Sequence, residues 1–169
     1  MKNALWENIF RNRKKDESEE ALALKNVPVF DDLDPKEIGA LEKLVHKRTY
    51  KPDEFVFRKN APGEGLYIIL TGKVDIVTED ENGSQNIVAS LKEGDFFGDL
   101  ALLDEAPRSA SAIAKDHSTL LGFFRPDLNA LIKRNPQLSV KIILNLASVI
   151  GERLRNTNEL LAKATMSNS

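Results

Sequence analysis

A mainly β fold is predicted, an antiparallel β-roll or jelly roll with N-terminal helices and a long C-terminal dimerisation helix. Three observations predict it. Short apolar runs alternate with turn residues between residues 46 and 124, which is typical of an antiparallel sandwich or jelly roll. A helical pattern that begins at a proline precedes these runs over residues 34–45. A much longer helical pattern follows from Asn135 to about Lys163, with apolar residues on two of its faces.

The composition is that of one globular domain with additions. The chain has 169 residues, of which 41% are hydrophobic, and this is enough to bury a core. A net charge of -2 does not indicate a general nucleic-acid-binding surface. The absence of cysteine excludes disulfides and thiolate metal sites. No apolar run reaches the roughly 18 residues of a membrane span and no signal-peptide pattern follows Met1, so we expect a cytoplasmic protein.

The chain is predicted to have three parts. These are an N-terminal amphipathic helix with an acidic linker at residues 1–23, the β-roll domain at residues 24–134, and the long helix with a short tail at residues 135–169. The first helix, at residues 2–15, places Trp6 and Phe10 on one face and ends in basic residues. Such a helix either packs on its own domain or a sister subunit, or lies on a membrane surface. The acidic segment at residues 16–20 is predicted to be an exposed link.

The segment before the first strand is predicted to be a helix. Asp34 stands at its N-cap, where a carboxylate accepts hydrogen bonds from free backbone N–H groups. Pro35 takes the first helical position, where a missing N–H costs nothing. The apolar residues that continue the helical spacing are Ile38, Leu41, Leu44 and Val45.

Seven strands are predicted from the short apolar runs. They span residues 46–50, 54–58, 66–71, 73–79, 85–91, 109–115 and 118–124. Turn-forming pairs such as Thr71-Gly72 and Asn82-Gly83 separate them. After the last strand, Pro126 opens a helix that runs to about Arg134, and Asn135-Pro136 begins the long helix.

The long helix carries two apolar stripes, so it needs two surfaces to bury against. The first stripe, predicted to lie on the roll, is Leu138, Ile142, Leu146, Val149 and Arg153. The second is Val140, Ile143, Ala147, Ile150, Leu154, Thr157 and Leu161, at spacings of three and four. This spacing is that of a two-stranded coiled coil and predicts a homodimer through residues 138–161. The alternative is that the second stripe also packs in the core of its own domain.

The chain is organised around residues 96–103 and 107–111. Gly98 allows a tight turn before one turn of helix. The first N–H groups of that turn lack intrahelical partners and lie at the positive end of the peptide dipoles, an arrangement that suits a phosphate. Asp99 can accept a hydrogen bond from a sugar hydroxyl, and Arg108 supplies a planar cationic fork for phosphate oxygens. Small hydroxyl donors follow at Ser109 and Ser111.

These residues resemble the phosphate-binding cassette of the cyclic nucleotide-binding domain family. The matching stretches are Phe97-Gly98-Asp99-Leu100-Ala101-Leu102 and Arg108-Ser109-Ala110-Ser111, and the family usually has Glu at the position of Asp99. Leu66 to Val74 resembles the family's third and fourth strands, and the helix before the roll resembles its lead-in helix, with Val29 and Phe30 as core anchors. The resemblance covers about residues 24–163.

The resemblance implies cAMP as the ligand, more than cGMP, and no metal. The ligand-binding residues that it implies are Phe97, Gly98, Asp99, Leu100, Ala101, Arg108, Ser109, Ala110, Arg153, Thr157 and Asn158. Residues 135–158 also look like the central dimer helix of the catabolite activator family, in which a Thr and a following polar residue contact adenine. That role falls to Thr157 and Asn158 here, and Arg153 is expected to approach Asp99.

Two of these assignments have alternatives. Thr157 is either a base contact or a polar residue that sets the register of a coiled coil. Arg108 is either a phosphate ligand or a member of a surface ion pair with Asp104 or Glu105.

The resulting hypothesis is a non-enzymatic, dimeric cyclic nucleotide sensor in which the ligand shifts the long helix. No catalytic motif is present, and the only histidines, His46 and His117, are far apart, which disfavours a histidine-rich metal site. Because the sequence ends at Ser169, shortly after the helix, we expect no direct DNA binding and an unknown downstream protein partner. The alternatives are a ligand-free dimeric interaction module and a membrane-surface adaptor that uses residues 2–15.

Overall fold

Two antiparallel four-stranded sheets form the roll in the computed structural model, which describes residues 17–80 and 83–167. The strands are β1 His46–Tyr50, β2 Phe55–Phe57, β3 Gly65–Thr71, β4 Lys73–Glu79, β5 Gln85–Lys92, β6 Phe96–Phe97, β7 Ser111–Ala114 and β8 Ser118–Phe124. The helices are α1 Glu19–Lys25, α2 Pro35–Glu42, α3 Arg125–Arg134 and α4 Pro136–Ser167. The predicted helix at residues 2–15, with its membrane contact, lies outside the described residues. The jelly-roll prediction is confirmed.

The chain crosses from one sheet to the other at Gly72. The first sheet has the strand order β1-β8-β3-β6 and the second has the order β2-β7-β4-β5, so the consecutive strands β3 and β4 lie in different sheets. Gly72 has a φ of 89°, and a Cβ at this position would stand 2.3 Å from Ser118 Oγ. Only glycine makes this reversal without strain, because it has no Cβ.

Each of the seven predicted strands is present, with ends that differ by up to two residues. The strand that sequence analysis missed is β6, in which Tyr67 of β3 pairs with Phe97. Two residues are too few to show an alternating pattern. The predicted strand at 109–115 begins only at Ser111, because residues 109 and 110 form a bend. Both differences lie next to the predicted site.

Two apolar clusters divide the core, and β3 supplies both. Strand residues alternate between faces, so Tyr67 and Ile69 point into the roll while Leu66 and Ile68 point toward the helices. This explains why β3 reads as a continuous apolar run. The cluster under the helices contains Leu24, Val27, Val29, Phe30, Ile38, Leu41, Leu121, Phe123, Leu128, Leu131, Leu138, Ile142 and Leu146. The prediction that Val29 and Phe30 anchor the core is confirmed, since both are fully buried.

The described part of the predicted acidic link, residues 17–20, leads into a helix that packs on the domain, although Glu17 and Glu19 are exposed as predicted. Helix α1 begins at Glu19, and the Ser18 hydroxyl caps it by accepting a hydrogen bond from Ala21 N at 3.0 Å. Ala21 and Leu24 are buried in the core under the helices. Glu19 and Glu20 both contact Lys47 of β1, and the hydrogen bond from Lys47 holds the pKa of Glu20 below its usual range. A helix of seven residues is too short to show a periodic signal.

Helix α4 buries the first three residues of one of its two stripes. Leu138, Ile142 and Leu146 are almost completely buried against the roll. In the second stripe, Leu154 is 60% exposed and Leu161 is 65% exposed. The remaining members are mixed, with Val140 exposed and Ile143 and Ile150 packed partly against the core. Most of the predicted coiled-coil seam is therefore uncovered in the single chain. Over the described ranges, no helix combines the length and apolar character needed to cross a bilayer.

Candidate functional site

The stretch from Gly98 to Asp104, called the cassette loop below, follows directly on β6. Gly98 has a φ of 77°, in the left-handed region, and the 3-10 helix Asp99–Leu102 starts after it. The pairing of β6 with β3 fixes the entry to this loop. The first amides of the 3-10 helix precede any intrahelical acceptor, so they are free to bind a ligand. The predicted turn before one turn of helix is therefore present.

Arg108 lies beneath the cassette loop. Its backbone N–H donates to Ala61 O at 2.9 Å and its carbonyl accepts from Asn60 N at 2.8 Å, so the connection between β2 and β3 fixes its position. Its side chain turns inward, with Nη1 donating to Gly98 O at 3.1 Å and Nη2 to Gly65 O at 2.8 Å. The residue is 7% exposed.

The charge of Arg108 has no carboxylate partner in ion-pair contact among residues 17–80 and 83–167. Its guanidinium carbon lies 4.1 Å from the centre of the Phe57 ring. Its Nε is buried and has no hydrogen-bond partner in the described part of the chain. Burial lowers the pKa of the guanidinium, but an arginine remains a cation at neutral pH. A buried cation with an unsatisfied donor favours a bound anion.

The surface ion pair considered as an alternative for Arg108 is not what the structure shows. Glu105 pairs instead with Arg125, with 3.3 Å between the guanidinium nitrogen and the carboxylate oxygen. Asp104 uses its carboxylate to accept from Ala106 N at 3.2 Å.

A pocket of about 290 Å³ joins the cassette loop to Arg108. It is lined by Phe57, Gly98, Asp99, Leu100, Ala101, Asp104, Ala106, Pro107, Arg108, Ser109 and Ala110. Seven of the predicted site residues, which the sequence separates into two stretches, thus line one pocket. Phe97 lies behind these residues, buried in the interior of the roll. The volume is close to the lower end of the range of roughly 300–1,000 Å³ usual for small-molecule sites.

Asp99 connects this pocket to helix α4. It is 5% exposed, and its Oδ1 accepts a hydrogen bond from Arg153 Nη1 at 2.8 Å. The Arg153 guanidinium also lies 4.5 Å from the centre of the Phe96 ring. Arg153, which was predicted to lie on the roll-facing stripe of the helix, therefore contacts Asp99, as expected. The part of either residue in binding stays a prediction.

Thr157 and Asn158 do not line the pocket. Both are exposed, and the Thr157 hydroxyl donates to Arg153 O at 2.8 Å, within its own helix. Ser111, predicted as a small donor, is also turned away, since its hydroxyl accepts from Lys59 N at 2.8 Å. A base contact from Thr157 or Asn158 requires a second subunit or a movement of α4.

Two residues at this site were missed by sequence analysis. Phe57 lies under Arg108, but in the sequence it is one apolar residue of a strand. Arg125 donates to Ala101 O and Gly63 O at 3.0 and 2.6 Å, but in the sequence it precedes Pro126 as an ordinary helix start. No sequence signal marked either contact, because each joins segments far apart in the chain.

Gly98→Ala is expected to destabilise the protein more than an alanine at a comparable glycine. A Cβ at Gly98 would stand 2.7 Å from Arg108 Nη1, whereas a Cβ at Gly94, which has a φ of 86°, meets nothing within 4 Å. Both variants incur the cost of a left-handed alanine, about 1–2 kcal/mol. Only Gly98→Ala also displaces Arg108, for which we expect about 1–2 kcal/mol more.

Urea unfolding of both variants beside the wild type measures this difference. Equal losses of stability for Gly98→Ala and Gly94→Ala would show that Arg108 does not hold the position that the structure gives it.

Metal-binding side chains are dispersed in the described residues. No group of three or more His, Asp or Glu side chains in residues 17–80 and 83–167 comes close enough to hold a metal ion. His46 contacts Asp127, with 3.1 Å between Nε2 and Oδ2.

The family model described as "Cyclic nucleotide-binding domain" matches residues 47–135. The matched region includes the cassette loop and Arg108. It covers more than half of the chain.

Three known proteins are similar to a larger part of the chain. The cyclic AMP receptor protein of Thermus thermophilus is 35% identical over 135 residues, which cover 80% of this chain and 61% of that protein. The CRP-like cAMP-activated global transcriptional regulator of Mycobacterium tuberculosis is 31% identical, over 82% of this chain and 60% of its own length. A solved cyclic nucleotide-binding domain from Methylobacillus flagellatus has a TM-score of 0.74 and 25% identity, over 86% and 82% of the two chains. The chain thus spans about three fifths of the length of the first two of these proteins.

Proposed function

Since this chain belongs to the cyclic nucleotide-binding domain family, we propose that it is a regulatory sensor of cAMP that acts as a homodimer. The observation that carries the proposal is Arg108. It is a buried cation without a carboxylate in ion-pair contact among the described residues, and it lies in a pocket with the free amides of the cassette loop. A cyclic phosphodiester supplies one negative charge to this pocket without the bulk of a nucleoside triphosphate.

The pocket has a partner for each polar part of the ligand. The phosphate oxygens would bind the amides of the cassette loop and the guanidinium of Arg108, with Ser109 beside them. Asp99 would accept a hydrogen bond from the ribose 2′-hydroxyl. Asp99 is one methylene shorter than the usual Glu of the family, so its reach is shorter. Thr157 and Asn158 would contact the base, in the way expected from the catabolite activator family.

The preference for cAMP over cGMP is supported by the relatives. One is named a cyclic AMP receptor protein and another a cAMP-activated regulator. Both match over at least 80% of this chain. This chain matches 61% and 60% of the lengths of those two proteins, so their other activities are not carried over to it.

Regulation would operate through helix α4. Arg153 binds Asp99 in the structure, so a ligand hydroxyl that binds Asp99 changes the contact that joins α4 to the cassette loop. A ligand shifts a conformational equilibrium only by its difference in affinity for the two states, and this shared carboxylate supplies such a difference. The exposed stripe of α4 would transmit the shift to the partner subunit.

Calorimetric titration of the wild-type chain with cAMP and cGMP tests the proposal. We expect saturable binding of both, with the lower dissociation constant for cAMP. The 5′-monophosphate AMP serves as a control that keeps the base but lacks the ring and carries about -1.5 to -2 charges at pH 7 in place of one. No heat of binding with either cyclic nucleotide would refute the sensor function.

Asp99→Asn is expected to weaken cAMP binding by about tenfold, because the hydrogen bond to the ribose hydroxyl loses its ionic acceptor. The same change should leave the affinity for 2′-deoxy-cAMP within about twofold, since that ligand has no hydroxyl to donate. Calorimetry with both ligands measures the two ratios. Equal losses for the two ligands would mean that Asp99 acts on the fold of the loop and not on the ribose.

One observation favours the alternative of a ligand-free dimeric interaction module. The Asp99 carboxylate pairs with Arg153 of the same chain, so protein groups alone can join α4 to the cassette loop. In that case the chain would form a stable dimer and show no nucleotide-dependent change. The calorimetric titration separates this function from the sensor.

A further inference from the structure

Arg125, the first residue of α3, binds the far end of the cassette loop. Its Nε donates to Ala101 O at 3.0 Å, and its Nη2 donates to Asp104 O. Its Nη1 lies 3.3 Å from a carboxylate oxygen of Glu105. Arg125 therefore contacts later carbonyls of the loop, whereas Arg108 contacts the Gly98 carbonyl at its start.

The same side chain also reaches the connection between β2 and β3. Nη2 donates to Gly63 O at 2.6 Å, and the backbone N–H of Arg125 donates to Glu64 O at 2.8 Å. Gly63 is packed closely on the loop, since a Cβ there would stand 2.9 Å from the Cβ of Ala101. Arg125 thus joins three segments that are distant in sequence, namely the β2–β3 connection, the cassette loop and α3.

The cassette loop has little structure of its own to hold it. Its 3-10 helix has four residues, and the hydrogen bonds within the loop include Ala101 N to Gly98 O at 3.3 Å and two bonds to Leu100 O, from Leu103 N at 2.9 Å and Asp104 N at 3.1 Å. The last carbonyls of any helix lack intrahelical donors. In this loop Arg125 supplies donors to two late carbonyls, those of Ala101 and Asp104. A cation at the C-terminal end of a helix is also favourable to its dipole.

We propose that Arg125 is the positioning residue of the cassette loop. By binding carbonyl groups late in the loop, Arg125 would hold the amides at the start of the loop in place to face the ligand. The expected effect of Arg125 on ligand affinity rests on the proposed function. Its effect on the order of the loop is independent of any ligand. The planar fork of arginine fits the three carbonyls at once, and a lysine, with a single nitrogen, does not.

Hydrogen exchange of the ligand-free protein tests the proposal directly. In Arg125→Met, the amides of residues 98–104 should exchange at least about tenfold faster than in the wild type, because their local opening becomes easier. Arg125→Lys keeps the charge and should give an intermediate increase. The amides of β4 and β7, which Arg125 does not contact, should keep wild-type rates in both variants.

Titration with cAMP adds the functional readout. We expect Arg125→Met to bind cAMP about tenfold more weakly than the wild type, with Arg125→Lys in between. If the wild type binds no cyclic nucleotide, the proposed function fails, and the exchange rates alone decide the role of Arg125. If the wild type binds and the variants bind equally well, the positioning role is refuted.

Two control variants separate the carbonyl contacts from charge and from general stability. Glu105→Gln removes only the ion pair and should leave the exchange of the cassette loop unchanged. Arg134→Met removes an exposed arginine from the other end of α3 and should have no effect. Wild-type exchange rates at residues 98–104 in Arg125→Met would overturn the proposal, and so would an equal increase at all amides of the roll.

Discussion

Arg108→Ala is expected to lower the affinity for cAMP by at least about hundredfold. The variant removes two or more charge-assisted hydrogen bonds to the phosphate, each of about 1.5–3 kcal/mol, and a loss near 3 kcal/mol corresponds to a factor above one hundred. Arg108 is also buried, so water would not replace its guanidinium well. Calorimetric titration with cAMP measures the ratio of dissociation constants.

Two further variants separate the loss of a ligand from a loss of structure. Arg108→Lys keeps a cation and one nitrogen, so we expect a smaller loss of affinity than for alanine. Arg134→Ala removes an exposed arginine and should bind cAMP as the wild type does. Circular dichroism must show that each variant is folded. Unchanged affinity in a folded Arg108→Ala would show that the phosphate binds elsewhere.

Leu154→Asp is expected to dissociate the proposed homodimer. Leu154 belongs to the stripe of α4 with coiled-coil spacing and is 60% exposed in the single chain. In a symmetric dimer each chain contributes one copy, and each buried leucine is worth about 1.5–3 kcal/mol, so the dimer loses about 3–6 kcal/mol. The two new carboxylates would also face each other across the seam. We expect the dimer dissociation constant to rise at least about hundredfold.

Sedimentation equilibrium over a range of protein concentrations measures this constant. The matched control is Ala162→Asp, which adds the same charge to an exposed position of α4 outside the seam. That variant should remain as dimeric as the wild type. A wild-type chain that sediments as a monomer at every concentration would contradict the proposal, and so would equal effects of the two substitutions.

Much of the fold could be predicted because its signals are local. Asp34 and Pro35 start a helix by the chemistry of their own side chains, and the structure shows Asp34 in a capping box with Glu37. The strands were readable because apolar runs and turn residues follow each other within a few positions. Short elements were not readable, and both α1 and β6 were missed for that reason. Neither element is long enough to complete the pattern by which helices and strands are recognised.

The site could be predicted only in part, because local signals mark some of its residues and not others. Gly98, Asp99 and Arg108 lie in a recognisable order, so their shared pocket was expected. The residues that support this pocket, Phe57 and Arg125, could not be predicted. Their contacts with it join segments that are 24 to 62 residues apart in the chain. The sequence also left two partners open for Arg108, a phosphate or a neighbouring acid.

By itself, the order of amino acids determined the jelly roll, the cassette loop and the two-faced helix, since each depends on periodicity or on the conformational range of nearby residues. Only the tertiary structure decided the partners of the arginine side chains. Arg108 turns inward and donates to Gly98 O and Gly65 O. Arg125 forms an ion pair with Glu105, and Arg153 forms one with Asp99. An arginine side chain is long and can bind any acceptor within its reach. The packing of distant segments determines which acceptors those are.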